Sequence, residues 1–210
     1  MSLLAALGDD PVPTVRWYRS RTPAVVLGRG QAPLPAGAVG LPVVSRGSGG
    51  GAVLLDDGLL SLDVLLPAGH PLLHGDLGRV FDIVGAAWAA ALADLGVTGL
   101  TVHFGPGTAR RRGSDRERLL AAICYATVGR GEVLADGRKL VGLAQRRRRA
   151  GALVQCGLLR RWAPGRLLEA LGADPCDAQV AHAAVGLDEL VDPPPTDAAI
   201  MAAVERRLPG

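Results

Sequence analysis

Aromatic residues are nearly missing from this chain: Phe, Trp and Tyr make up 3% of its 210 residues. That excludes a surface built to stack one nucleobase after another. Cysteine is scarce as well. Cys124, Cys156 and Cys176 are odd in number and form no CxxC pair, which argues against a disulfide framework and for a reducing cytosol. Of the four histidines, His70 and His74 stand four apart, but Pro71 and Gly75 interrupt any regular helix between them, so no metal site is expected. No long apolar run is present either. The most apolar one, Ile83 to Leu92, falls far short of the roughly 20 residues that span a bilayer. Met1 to Leu7 is apolar, yet it has no basic flank and is too short for a signal peptide. A cytoplasmic protein without membrane or nucleic-acid partners is the expectation.

What remains is aliphatic. Leu, Val and Ala dominate a composition that is 49% hydrophobic, and a chain of this length buries about 70% of its unfolded surface. One domain spanning residues 1–210 is the economical reading. The net charge is only +3, but arginines gather at Arg110-Arg111-Arg112 and at Arg146 to Arg149. Such clusters are either a solvated face or a docking surface for acidic partners, whose complementary charge speeds encounter.

Short alternating runs read as strands at Val15 to Tyr18, Ala24 to Leu27, Leu41 to Val44, Ala52 to Leu55, Leu60 to Leu66, Val97 to Val102 and Ala152 to Leu159. Gly78 to Leu95 places Val80, Ile83, Val84, Ala87, Trp88, Ala91 and Leu92 at helical spacing. Ser114 and Glu117 fit a capping box that opens a helix through about Cys124. Pro164 to Leu171 reads as a short helix stopped by Gly172, and Thr196 caps a last helix from Asp197 to Leu208. Strands and helices without strict alternation indicate an α+β domain.

Two stretches carry chemistry. Asp136-Gly137 between β-type runs is a strong hairpin signal, and it sets Lys139 at the head of the strand Lys139 to Ala144. A lysine there is either solvated or aimed at a phosphate or carboxylate. Upstream, Arg46, Ser48 and the glycines Gly49, Gly50 and Gly51 precede Ala52 and follow a strand-like run. Uncovered amides in such a loop can wrap an anion, although triple glycine also makes flexible turns. No Gly-Lys-Ser/Thr follows, so this is not a Walker loop.

SRGSGGGAV and GRKLVGLAQRR together resemble the Arg-Arg-x-Ser-Gly-Gly-Gly-Ala-Val and Gly-x-Lys-x-x-Gly-x-Ala-Gln-Arg motifs of the lipoate-protein ligase A family. Val15 to Gln31 looks like that family's opening strand pair, and the resemblance spans about residues 14–159. It implies a central mixed β-sheet flanked by helices, and attachment of lipoate or octanoate to a lysine of an acidic lipoyl-domain protein. Lys139 would then contact the activated acyl group and the phosphate. Gly49, Gly50, Gly51 and Ala52 would shape the pocket with Ser48, Arg46 would face the nucleotide, and Gly142 and Ala144 would keep the neighbouring strand slim.

Activation has two routes under this resemblance. The ligase route, which SRGSGGGAV favours, uses ATP with magnesium to form lipoyl-AMP. The other takes octanoate from an acyl carrier protein onto Cys124, because Cys124-Tyr125 resembles the Cys-Phe of one group of octanoyltransferases; the plain alternative is that Cys124, at the end of an apolar helix, is a buried small hydrophobe. Cys156 reads as packing. The family's His-Asp and Gly-Asn are Leu55-Asp56 and Gly58-Leu59 here, which leaves a non-catalytic acyl or nucleotide binder as a third reading. The family's N-terminal helix is shortened to a few residues before Asp9. The C-terminal accessory domain of complete ligases is expected to be absent or supplied by a separate chain.

Overall fold

A computed structural model describes residues 12–34, 40–109 and 112–209. Strands β1 (Thr14–Tyr18), β5 (Leu59–Pro67), β6 (Leu100–Val102), β7 (Val133–Ala135), β8 (Arg138–Arg148) and β9 (Gly151–Leu159) form one sheet in the order β1-β5-β9-β8-β7-β6. A smaller sheet holds β2 (Ala24–Leu27) between β3 (Val43–Ser45) and β4 (Val53–Leu55). The helices are α1 (Arg79–Asp94), α2 (Asp115–Ala122), α3 (Gly165–Ala170), α4 (Ala178–Ala183) and α5 (Asp197–Arg207).

The α+β class stands, with two refinements. Every pairing in the large sheet is antiparallel, and the parallel pairing that makes a mixed sheet occurs between β2 and β3 in the small one. The opening strands β1 and β2 do not pair with each other. β1 lies along β5 in the large sheet, and β2 joins β3 and β4 in the small one. Proline and arginines between them give a turn of no hairpin type, so the chain leaves one sheet for the other.

Period-two alternation gives the large sheet two unlike faces. Leu60, Leu62, Val64 and Leu66 of β5, with Val154 and Leu158 of β9, point to one side and are buried against Val84, Trp88 and Leu92 of α1 and Ile200 and Val204 of α5. Trp17 meets Trp88 edge to face with ring centroids 5.7 Å apart, closing that core at the β1 end. On the other side the pairing register aligns Ser61, Gly157 and Gly142, residues with little or no side chain. The small sheet, packed with Ile123, Leu167, Leu168 and Val180, forms a second core.

Helix ends follow the expected chemistry. Ser114 accepts from the Glu117 amide while the Glu117 carboxylate accepts from the Ser114 amide, a complete capping box. Thr196 accepts from the Ala199 amide at the start of α5. Gly172, with φ of +70°, stops the chain after α3. α2 ends earlier than expected, at Ala122. Ile123 is extended (φ −112°, ψ 120°) and forms a parallel bridge with Ala52, so Cys124 starts a separate 3-10 turn, residues 124–126, instead of ending a helix.

Arg146, Arg147 and Arg148 continue β8, and Arg149 lies in the turn beyond it. Of the other arginine cluster, Arg110 and Arg111 lie outside the described residues, as do Met1 to Leu7 and most of the loop from Pro33 to Gly40. No helix among the described residues is long and apolar enough to cross a membrane.

Candidate active site

The site grows from the hairpin at Asp136 and Gly137, whose φ values of +47° and +77° are those of a type I′ turn. Just beyond it the pairing of β7 with β8 shifts register, and Leu140 is left without a partner on β7. Such a bulge re-aims the side chains beside it. Lys139 therefore points inward: its side chain is 2% exposed, against the solvated lysine that its position next to a turn suggests.

A buried ammonium needs a full set of acceptors. Lys139 Nζ donates to the Cys124 carbonyl at 2.7 Å, to the Thr127 carbonyl at 3.1 Å and to Glu132 Oε2 at 2.6 Å. Glu132 is itself buried and also accepts from the amides of Gly129 (2.6 Å) and Leu143 (3.0 Å). Lysine and glutamate thus fasten the turn that carries Cys124 to β7 and β8. The ammonium also lies 3.9 Å from Cys124 Sγ and 5.1 Å from the centre of the Tyr125 ring.

Glycine brings the other elements close. Gly142 faces Tyr125 and Lys139, and a methyl there would lie 3.3 Å from each. Tyr125 donates to the Gly157 carbonyl at 2.7 Å. Burial first, then the charges of Cys124 and Glu132, holds its phenol well above the usual range, so it remains a donor. Gly51 packs against the backbone of Ile123 and Cys124 so tightly that a methyl would sit 2.6 Å from the Cys124 nitrogen. The glycine loop is zipped to the cysteine turn by Ala52 N–H to the Ala122 carbonyl (2.6 Å) and Cys124 N–H to the Ala52 carbonyl (2.9 Å). Arg46 donates to the carbonyls of Gly49 (2.7 Å) and Gly51 (2.8 Å). The amides of Gly49, Gly50 and Gly51 donate to no group among the described residues.

Two adjoining cavities result. One, about 100 Å³, is mainly apolar, with Val26, Val53, Leu55 and Leu59 as walls and Gly142, Gly157 and Ser61 as floor. The other, about 170 Å³, is lined by Gly49, Gly50, Gly51, Glu132 and Lys139. Cys124, Arg46, Leu143 and Ala144 line both. Of the ten residues expected at the site, eight therefore surround the cavities. Ser48 and Ala52 do not: Ser48 is buried and donates to Gln155 Oε1 at 2.9 Å, and Ala52 is wholly within the second core. Leu55 and Leu59, where the resemblance expects histidine and asparagine, are walls of the apolar cavity. Cys156 is buried, as expected for a packing residue, and burial pushes its thiol up to about 12.

Glu132 and Tyr125 went unassigned in the sequence. A glutamate seven residues before the lysine, across a two-residue turn, is the available signal for the first; for the second it is the aromatic position of the Cys124-Tyr125 pair. Among the described residues no three His, Cys, Asp or Glu side chains come together as metal ligands.

Residues 2–208 match the model of the lipoyl protein ligase A/B catalytic domain. The chain belongs to this family. With it, the chain belongs to the enzymes of protein lipoylation. An octanoyltransferase LipM of Moorella thermoacetica is 33% identical over 197 residues, covering 88% of this chain and 68% of that protein. Across the four curated LipM relatives, this chain spans from 42% to 68% of their length. A lipoate-protein ligase A solved with bound ATP superposes with a TM-score of 0.67 at 20% identity, over 95% of this chain and 72% of that one. A bi-partite lipoate protein ligase of Thermoplasma acidophilum, described together with its E2 lipoyl domain, gives 0.67 at 18% identity over 95% and 70%. At these identities the two solved structures establish the shared fold.

Proposed function

We propose that this family member transfers an octanoyl group from a carrier thioester to a lipoyl-domain lysine through Cys124. The observation that supports this reading is the position of the thiol: it lines both the apolar cavity and the polar one, 3.9 Å from a buried ammonium. The apolar cavity takes the alkyl chain, and its carbonyl carbon comes to the sulfur. Cys124 Sγ attacks that carbon and gives up its proton; the C–S bond to the carrier breaks and the carrier leaves, protonated, as its thiol. In the second half the acceptor's amine attacks the Cys124 thioester, an amide forms, and Cys124 returns as a thiol. In both tetrahedral intermediates the oxyanion is met by the charge of Lys139 and the amides of the glycine loop, unpaired among the described residues. The setting is the reducing cytoplasm, where the thiol stays free.

A second reading rests on the polar cavity. Its glycine amides, Arg46 and Lys139 suit the phosphate of an acyl-adenylate, and a lipoate-protein ligase A of the same fold has been solved with ATP. In that reading ATP and magnesium activate lipoate directly, lipoyl-AMP occupies both cavities, and Cys124 only packs. Intact mass separates the two. Incubation with octanoyl carrier protein is expected to leave an octanoyl adduct that Cys124→Ser abolishes. ATP-dependent lipoylation of an acceptor with no adduct on the enzyme would establish the ligase, and silence in both assays would leave a non-catalytic binder.

A further inference from the structure

The floor of the apolar cavity is a row of four residues on four neighbouring strands, and their side chains grow with distance from Cys124. The register sets Gly142 of β8 beside Gly157 of β9, Gly157 beside Ser61 of β5, and Ser61 beside Tyr18 of β1. All four line the cavity. The first two carry no side chain, the third one small hydroxymethyl group, and the fourth a full aromatic ring. Neighbouring strands are about 4.8 Å apart, so Tyr18 stands about 14 Å across the sheet from the strand that carries Lys139. β1 is the edge strand, so the floor does not continue past it.

The Tyr18 ring is also held. The Arg16 guanidinium lies 4.8 Å from its centroid, and the hydroxyl reaches Asp63 Oδ1 at 3.5 Å. Asp63 is completely buried and pairs with Arg16 at 2.5 Å, so both groups that fix the ring are fixed by each other. Gln155 adds a contact to the same carboxylate oxygen at 3.4 Å. The cavity is only about 100 Å³ and the Tyr18 ring is one of its walls, so a chain that outgrows it runs against this ring.

We infer that Tyr18 is the end stop of the acyl channel and the residue that sets the length of the chain the site accepts. This rests on reading the apolar cavity as the acyl site. Tyr125 stands over Gly142 and Gly157, so a chain passes beside its phenol toward β1 and meets the Tyr18 ring after a fixed number of methylenes; the next one must displace a stacked, hydrogen-bonded ring or turn out into water. Pocket walls of this kind discriminate about 10- to 200-fold per methylene.

The test is a length profile taken two ways on the full chain: the rate of acylation by hexanoyl, octanoyl, decanoyl, dodecanoyl and tetradecanoyl carrier thioesters, and protection from thermal unfolding by the corresponding free acids. Tyr18→Ala and Tyr18→Leu are expected to raise the dodecanoyl to octanoyl ratio of kcat/KM about 10-fold or more. Tyr18→Trp should lower it and Tyr18→Phe should leave it unchanged. The free acids should show the same shift. An unchanged ratio in all variants, or an equal loss at every length, would overturn the end stop. If the wild-type chain is never acylated but the free-acid profile lengthens in Tyr18→Ala, the end stop stands and the thioester route falls. If acylation proceeds and every variant keeps the wild-type profile, the route stands and the end stop falls.

Discussion

Lys139 and Glu132 are each nearly useless to the fold alone and tightly bound together. Removing one partner of a buried ion pair leaves the other charged in a poor solvent, which costs about 3–5 kcal/mol. Lys139→Ala is therefore expected to lower stability by that amount as well as abolish transfer, so loss of activity in that variant alone does not isolate a chemical role. Combining it with Glu132→Gln should restore part of the stability and none of the activity; additive losses in a double-mutant cycle by chemical denaturation would show that the pair is not coupled. The three thiols differ as sharply. Cys176 is exposed, Cys124 is partly accessible in the cavities, and Cys156 is buried with its thiol pushed up to about 12. At pH 8 iodoacetamide should modify Cys124 and Cys176 and spare Cys156 until the protein unfolds; early labelling of Cys156 would contradict its burial. Because its folded value is raised, the stability Cys156 contributes is complete below the unfolded value of about 8.5 and declines as pH climbs from there toward 12.

At the level of elements, the lysine hairpin was readable because its cause is local: an Asp-Gly pair between alternating runs specifies its turn whatever surrounds it. The capping box at Ser114 and the Thr196 cap were readable for the same reason. The ends of α2 were not equally so. Its start is written in Ser114 and Glu117, but its stop at Ala122 comes from Ile123 being drawn into a bridge with Ala52, seventy-one positions upstream in the chain. The assignment of β1 and β2 to different sheets is non-local in the same way, and the burial of Lys139 depends on a bulge that no residue type announces. Ser48 and Ala52 sit inside a motif whose neighbours line the cavities, and only packing separates supports from lining. Close approach of elements makes its own prediction. Gly85 of α1 lies against Gly131, and a methyl there would be 1.9 Å from the Gly131 carbonyl oxygen. Gly85→Ala should push α1 away from the segment leading into Glu132, costing about 1–3 kcal/mol as an overpacked contact and lowering transfer more than a surface Gly→Ala change; an unaltered melting temperature would show that the helix moves freely.

For the whole molecule, charge is distributed along β8. Its buried end holds Lys139, and its far end carries Arg148, exposed, with Arg149 in the turn beyond; Arg146 lies over Gly47 of the glycine loop. Neither Arg148 nor Arg149 forms an ion pair among the described residues. Replacing both with glutamate is expected to slow association with an acidic lipoyl domain and flatten its salt dependence, while acylation of Cys124 by a small neutral thioester stays unchanged. Equal association rates for both proteins across ionic strength would return these arginines to the role of solvated surface. One strand thus carries both the buried lysine and the exposed arginines, and its pleat fixes which face each side chain takes. Deleting a single residue of β8 after Gly142 would turn every later side chain of the strand to the opposite face, unless a bulge took up the change. A lineage carrying this fold can therefore lengthen or shorten its surface loops more easily than β8, where an insertion or loss has to be taken up by a bulge like the one at Leu140.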